Sequence, residues 1–352
     1  MNHLKKLICD EGSKQLNRIL ILVISIFCLS HCAFPQQLKP KKNEPISIIF
    51  DTDIGPDYDD IGALAMLHAM ADSGECTILA TIASNKHQYI AAVLDVMNTY
   101  FNRPGLPIGV VRGNAVTIDA WQKWDSLLAA NYTHDINSNE QAEDALKLYR
   151  RLLSTQPDKS VTIVTVGFLT NMANLLQSGP DEYSSLPGKS LVAKKVKQLV
   201  CMAGRFDGEM GSFKEFNVAK DSTGSKLTFD SWPTPILFSG FEIGAKIFSG
   251  LPIANSALHR SPVKDVFALC IPKDTNDSKG RMSWDETAVL VAVRGYEKYY
   301  SIVQGKIICN RDGTNGWDLK GTRDKYIIQK SSIASMEKLI NSLMMHQPMK
   351  SR

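Results

Sequence analysis

The sequence predicts an α/β protein built on an open, mostly parallel, doubly wound sheet flanked by helices. Three observations carry that prediction. Apolar, β-branched runs alternate with helical stretches through residues 46–345, the pattern of parallel strands joined by crossover helices. No Pro/Gly/Ser-rich linker interrupts that span, so it reads as one domain. The first apolar run also ends in a cluster of acids, at the strand end where open α/β sheets place their ligands.

The opening unit, residues 46–66, reads ISIIFDTDIGPDYDDIGALAM. Ile46, Ile48, Ile49 and Phe50 make a buried strand, Gly55-Pro56 punctuates a turn, and Leu64, Met66 and Leu67 recur at helical spacing. Between them stand five aspartates within ten residues: Asp51, Asp53, Asp57, Asp59 and Asp60. Like charges at that density repel one another and retain protons unless a cation offsets them. Oxygen-only ligands suit a hard cation, calcium or magnesium. Residues 76–84 read as a second strand ending at Asn85, 89–101 as a helix, and 106–111 as a third strand. Residues 120–139 are polar and aromatic with weak periodicity, a loop carrying a short helix. Residues 139–155 are amphipathic, with Asn139 as the expected cap. A buried strand at 161–166 leads through Gly167 into a helix from about Asn171. A strand at 196–202, a late strand at 235–238 and a long helix at 283–294 complete the pattern.

Residues 1–33 have a different character. Lys5, Lys6, Lys14 and Arg18 precede an apolar run, 19–29, too short to span a bilayer comfortably. This is the layout of a secretory signal, so export to a periplasm or cell envelope is expected, with 34–45 as a polar linker. Leu29-Ser30-His31-Cys32 is similar to a lipoprotein box, and lipidation at Cys32 or an uncleaved anchor are the alternatives to cleavage. Without that leader the chain carries 36 basic and 34 acidic residues, a balance that argues against a nucleic-acid-binding surface. Cys76, Cys201, Cys270 and Cys309 lie far apart without Cys-x-x-Cys spacing, which excludes a zinc site of that kind and suits buried thiols.

The aspartate cluster resembles the signature of the calcium-dependent nucleoside N-ribohydrolases, the inosine-uridine preferring family. The usual Asp-x-Asp-x-Gly-x-Asp-Asp-Ala stands here as Asp51-Thr52-Asp53-Ile54-Gly55-Pro56-Asp57-Tyr58-Asp59-Asp60, with two extra residues before the final pair. Asn85, Gly167-Phe168-Leu169-Thr170-Asn171, Glu215-Phe216-Asn217 and Trp284-Asp285 follow in the family's order, so the resemblance covers nearly the whole domain. It implies a nucleoside hydrolase-like fold and cleavage of the N-glycosidic bond of a ribonucleoside, through an oxocarbenium-like state. Asp53, Asp60, Asp285 and the Thr170 carbonyl would hold calcium, and Asp53 would be the general base for the attacking water. Asp59, Asn85, Glu215 and Asn217 would hold sugar hydroxyls, and Asp51 would orient the metal ligands. Asp57 and Tyr58 receive no role. Family members are usually dimers or tetramers, so a homo-oligomer is expected.

Trp284 stands where pyrimidine-tolerant members carry a His and a purine-preferring branch carries Trp. The expected substrate is therefore a purine nucleoside, with Trp284 and one of Trp121 or Trp124 sandwiching the base. Arg205 replaces an Asn that the family uses on the sugar 5′ hydroxyl. It either pairs with Asp207 or Glu209, or meets an acidic substituent on the substrate. His68 reads as structural, and His87 is the one histidine to test as an acid. Two other classes fit parts of the pattern. Asp51-Thr52-Asp53 after a strand also looks like an Asp-nucleophile phosphatase of the haloacid-dehalogenase type, which leaves the later motifs unexplained. An exported binding protein, or a hydrolase for a modified acidic ribosyl ligand, would use the same metal pocket; retention of Asp53 as a base argues for the enzyme.

Overall fold

The computed structural model of the chain describes residues 44–208 and 211–348. The leader, the linker up to residue 43 and Cys32 lie outside the described residues, as does Glu209. The first half runs β1 (Ile46–Thr52), α1 (Asp59–Asp72), β2 (Cys76–Ala83), α2 (Ile90–Tyr100), β3 (Ile108–Val110), α3 (Trp124–Asn131), β4 (Glu143–Asp144), α4 (Ala145–Thr155) and β5 (Val161–Thr165). Next come α5 (Thr170–Gln177), α6 (Gly188–Lys195), β6 (Val196–Met202), α7 (Phe216–Lys220), α8 (Ser222–Ser231) and β7 (Ile236–Ser239). A short-element region follows: α9 (Phe241–Gly244), β8 (Phe248–Ser249), α10 (Leu251–Ala254), α11 (Pro262–Cys270) and β9 (Arg281–Met282). The chain closes with α12 (Trp284–Arg294), β10 (Tyr300–Cys309), β11 (Asn315–Asp318), β12 (Asp324–Gln329) and α13 (Ile333–Met344).

Ten strands form one sheet in the order β11-β10-β12-β7-β6-β5-β1-β2-β3-β4. From β12 to β4 every neighbouring pair is parallel, and β10 runs antiparallel to both β12 and β11. Side chains of β1 alternate between two cores. Ile48 and Phe50 face one that includes α1, α2, α11, α12 and α13, while Ile49 faces the other, built with α4, α5 and α6. The mostly parallel sheet with helices on both faces is the predicted fold.

Strand order fixes where a ligand can sit. From β1 the chain winds outward through β2, β3 and β4, then returns to the other side of β1 as β5 and winds the opposite way. The switch point therefore lies between the ends of β1 and β5, where Asp51–Asp53 and Val166-Gly167 stand.

Three details differ from the sequence reading. The amphipathic stretch at 139–155 is not one helix: 139–141 form a single 3₁₀ turn, 143–144 pair with β3, and α4 starts at Ala145. Its cap is Asp144, whose carboxylate accepts from the Lys147 N–H, rather than Asn139, whose side chain donates to the Lys86 and His87 carbonyls. Residues 300–329 form three strands that no strong apolar run announces. Cys76, Cys201, Cys270 and Cys309 are buried free thiols. Among the described residues no helix is long and apolar enough to cross a membrane.

Candidate active site

Everything at the switch point starts from the end of β1. Thr52 closes the turn by accepting the Ile54 N–H at 3.0 Å on its hydroxyl oxygen, and the same hydroxyl donates to Asp60 Oδ1. That places Asp59 and Asp60 in the first turn of α1, where the helix dipole and free N–H groups favour negative charge. Asp285 sits likewise in the first turn of α12, and its main-chain N–H reaches Asp59 Oδ2 at 3.4 Å. Two helix N-termini thus aim their acids at one point. Oxygens of Asp59, Asp60 and Asp285 all lie within 4.8 Å of one another. Ligands of one calcium ion, each about 2.3–2.6 Å from it, are about 5 Å apart at most. The donor set is all oxygen, buried and anionic, and it fits a hard divalent cation.

The electrostatics point the same way. Burial first, then the charges of Asp60, Asp57 and Asp59, push the Asp53 carboxyl well above the usual range. Burial and the neighbouring Asp59 raise Asp60 to about 8, and burial raises Asp59 to about 6 against the pull of Arg281. Asp285 is pushed well up by burial and by Asp59, Asp60 and Asp53. A bound cation would offset this mutual repulsion.

These acids line an open cleft, which Asp53 and Asp57 also line. Glu215 and Asn217 line the same cleft. Glu215 caps α7, accepting the Asn217 and Val218 N–H groups as well as that of Gly204, yet burial still raises its carboxyl to about 7. Asn217 spends its amide hydrogens on the Val166 and Met202 carbonyls at 3.0 and 3.2 Å. Phe216, Phe241 and Trp284 supply the aromatic side. The Trp284 indole N–H donates to the Phe241 carbonyl at 2.8 Å, with the rings 5.3 Å apart.

Of the residues singled out from sequence, Asp53, Asp59, Asp60, Glu215, Asn217, Trp284 and Asp285 line this cleft. Others are placed elsewhere. Thr170 opens α5 and lines a separate polar hollow, its hydroxyl donating to Asp221. What the 166–171 segment brings to the cleft is Val166. Asn85 is fully buried beside the cleft: its amide donates to the Asp53 and Ile118 carbonyls, and its oxygen accepts from the His87 and Ile118 N–H groups. It holds the Asp53 turn. Asp51 lies behind the site, its carboxylate accepting from Tyr149 and Asn171, and burial raises it to about 7. Arg205 turns to Asp207 at 2.6 Å and stacks its guanidinium over Phe213, outside the cleft wall. Trp124 is fully buried in the core and Trp121 is 56% exposed on a loop, and neither lines the cleft. His87 is buried between Asp119 and Asp125, with ring nitrogens 3.2 and 2.7 Å from their carboxylates.

Sequence reasoning missed Arg281. It is 6% exposed, 2.8 Å from Asp57 and 3.2 Å from Asp59, and its guanidinium lies over the rings of Tyr58 and Trp284. The only available signal was compositional: so many buried acids need a counter-charge, and Arg281 stands three residues before Trp284.

Fold and cleft define an α/β enzyme whose carboxylates sit at the topological switch point, ready for a divalent cation. Comparison with known proteins makes the assignment narrower. A sequence model of the inosine-uridine preferring nucleoside hydrolases matches residues 48–329, and the chain belongs to that family. Three solved structures share the fold. A plant nucleoside hydrolase is 17% identical with a TM-score of 0.66, covering 85% of this chain and 99% of that one. A purine-preferring ribonucleoside hydrolase from Gardnerella vaginalis is 14% identical at 0.64, covering 85% and 98%. An inosine-uridine preferring nucleoside hydrolase from Bacillus anthracis is 14% identical at 0.61, covering 85% and 99%. Among curated proteins no match is found. The chain is accordingly an N-glycosyl hydrolase of ribonucleosides, in a family that is metal-dependent.

Proposed function

We propose that this enzyme hydrolyses purine ribonucleosides with calcium held by Asp53, Asp60 and Asp285. The convergence of two helix N-termini on one oxygen-lined point, beside Asp53, is the observation that carries this reading. Calcium would supply a positive charge that acidifies a water molecule and offsets the carboxylates around it. The neutral main-chain ligand would be the carbonyl of Val166, which lines the cleft, in place of that of Thr170.

Asp53 accepts the proton of the attacking water. Asn85 fixes its main chain, donating its side-chain amide N–H to the Asp53 carbonyl at 3.0 Å. Glu215 and Asn217 hold sugar hydroxyls. With both amide hydrogens of Asn217 spent on carbonyls, its side-chain oxygen is the atom left to accept from the sugar. Asp59 accepts another hydroxyl. The base packs on the aromatic side formed by Trp284, Phe241 and Phe216.

Purine preference is supported by that aromatic lining and by the cleft's composition. Among the described residues no histidine lines it, so a base that takes a proton readily is the better leaving group. Because Arg205 is paired with Asp207, an acidic substituent on the sugar is not required. An exported setting, with residues 1–33 as the signal, is the accompanying proposal. Released ribose would be measured for inosine, adenosine, uridine and cytidine in the presence of calcium, with Trp284→Ala beside the wild type. Turnover of both purines with uridine and cytidine at least tenfold slower, and a loss of purine turnover in the variant, are expected. Equal turnover of all four, or an unaffected Trp284→Ala, would remove the purine reading.

A further inference from the structure

The two residues that lengthen this chain's aspartate signature, Asp57 and Tyr58, are both tied to one segment, residues 277–281. The Tyr58 hydroxyl donates to Asp277 Oδ2 at 2.6 Å. Arg281 Nη2 lies 2.8 Å from Asp57 Oδ1, and its Nε and Nη2 both donate to Asp59 Oδ1 at 3.2 Å. The guanidinium is 5.1 Å from the centres of the Tyr58 and Trp284 rings. Arg281 does not itself line the cleft, yet this buried cation touches two acids, Asp57 and Asp59, and an aromatic ring that do.

By position alone Asp59 is as eligible to bind the metal as Asp60 and Asp285, since its oxygen lies within the same 4.8 Å group. What differs is its partner. Two N–H groups of Arg281 occupy Oδ1, and the Asp285 main-chain N–H approaches Oδ2. We propose that Arg281 is a positioning residue that withholds Asp59 from the metal and holds it for the sugar. A charge-assisted pair of this kind is stronger and better oriented than a neutral hydrogen bond, and the planar guanidinium fixes direction as well as charge. The same guanidinium, lying over Trp284, couples the sugar-binding acid to the ring on which the base packs.

The inference rests on the calcium and sugar roles proposed above, and it makes a prediction that a merely structural arginine does not. Removing Arg281 frees Asp59 and leaves an extra uncompensated charge beside the cation, so calcium should bind more tightly while nucleoside binds more weakly. A side chain that only supports the fold would weaken both when lost. The test uses the full chain, stripped by chelation, with calcium titrated calorimetrically and inosine KM and kcat measured at saturating calcium. Arg281→Gln is expected to bind calcium at least threefold more tightly and to raise KM at least tenfold, with a smaller fall in kcat. Arg281→Lys should return both values toward wild type. Asp59→Asn provides an arm independent of how the Arg281 variants fold: its calcium affinity should stay within twofold of wild type while KM rises. Tenfold weaker calcium binding in Asp59→Asn, or unchanged or weaker calcium binding in folded Arg281→Gln, overturns the inference. Wild type that binds no calcium would instead refute the metal reading beneath it, so the two failures are distinguishable.

Discussion

Gly167 shows how closely the site depends on main-chain contact. A Cβ at this position would lie 2.3 Å from the Asp53 main-chain nitrogen, 2.6 Å from the Asp53 Cβ and 2.8 Å from Ser84 Oγ. Ordinary contact begins at 3.4 Å, so the strand end of β5 and Asp53 would have to part by about 1.1 Å. The obstacle is backbone in the centre of the sheet, which cannot swing away as a flexible side chain would. Overpacking of this kind costs about 1–3 kcal/mol of stability. A misplacement of about 1 Å at a reacting group costs about 100-fold in rate. Gly167→Ala should therefore lower the unfolding free energy in urea by about 1–3 kcal/mol and reduce kcat for ribose release about 100-fold. Gly105→Ala, with nothing within 4 Å of the added carbon, is the control and should change neither. If Gly167→Ala kept kcat within about threefold of wild type and unfolded at the same urea concentration, the close approach of β5 to Asp53 would be refuted.

Two further outcomes follow from burial. Trp124→Ala should cost about 3–5 kcal/mol in urea unfolding, as for a large core aromatic, whereas Trp121→Ala should stay within about 0.5 kcal/mol; equal effects would contradict their placement. Glu215, raised by burial from 4.5 to about 7, stays protonated in the fold at pH values where the unfolded chain has ionised. Its contribution is thus complete below about pH 4.5 and is lost as pH rises to about 7, at most about 3 kcal/mol at 1.36 kcal/mol per unit. Metal-free Glu215→Gln should show a shallower fall in stability across that window than wild type; parallel curves would contradict a raised Glu215.

Much of this was legible in the sequence because it is written locally. The β1–turn–α1 unit announces itself by an apolar run, a Gly-Pro turn and helical spacing, all within residues 46–66. The acids at that turn lie a few residues apart, so their convergence needed no knowledge of the fold. Asp285 could be placed only through resemblance, because nothing local brings α12 to α1. Arg281 was invisible for the same reason: its partner Asp59 is 222 residues away. Trp121 and Trp124 illustrate a second limit, since two tryptophans three residues apart look alike until packing puts one in the core. Thr170 shows a third. The segment does lie at the end of β5, but the chain turns into α5 there, so Val166 lines the cleft and Thr170 donates to Asp221. Strands β10 to β12 escaped because their faces are mixed, with exposed Ile308 and Ile328 beside buried Ile307 and Ile327, which blurs both periods.

The most direct test of the account is ribose release from inosine as calcium is titrated into chelator-stripped enzyme, with Asp53→Ala alongside. The account predicts a rate that rises with calcium to saturation in wild type and falls by at least 1,000-fold in Asp53→Ala, about 4 kcal/mol of transition-state stabilisation. A rate indifferent to calcium, or an Asp53→Ala enzyme that still releases ribose at the wild-type rate, would contradict it.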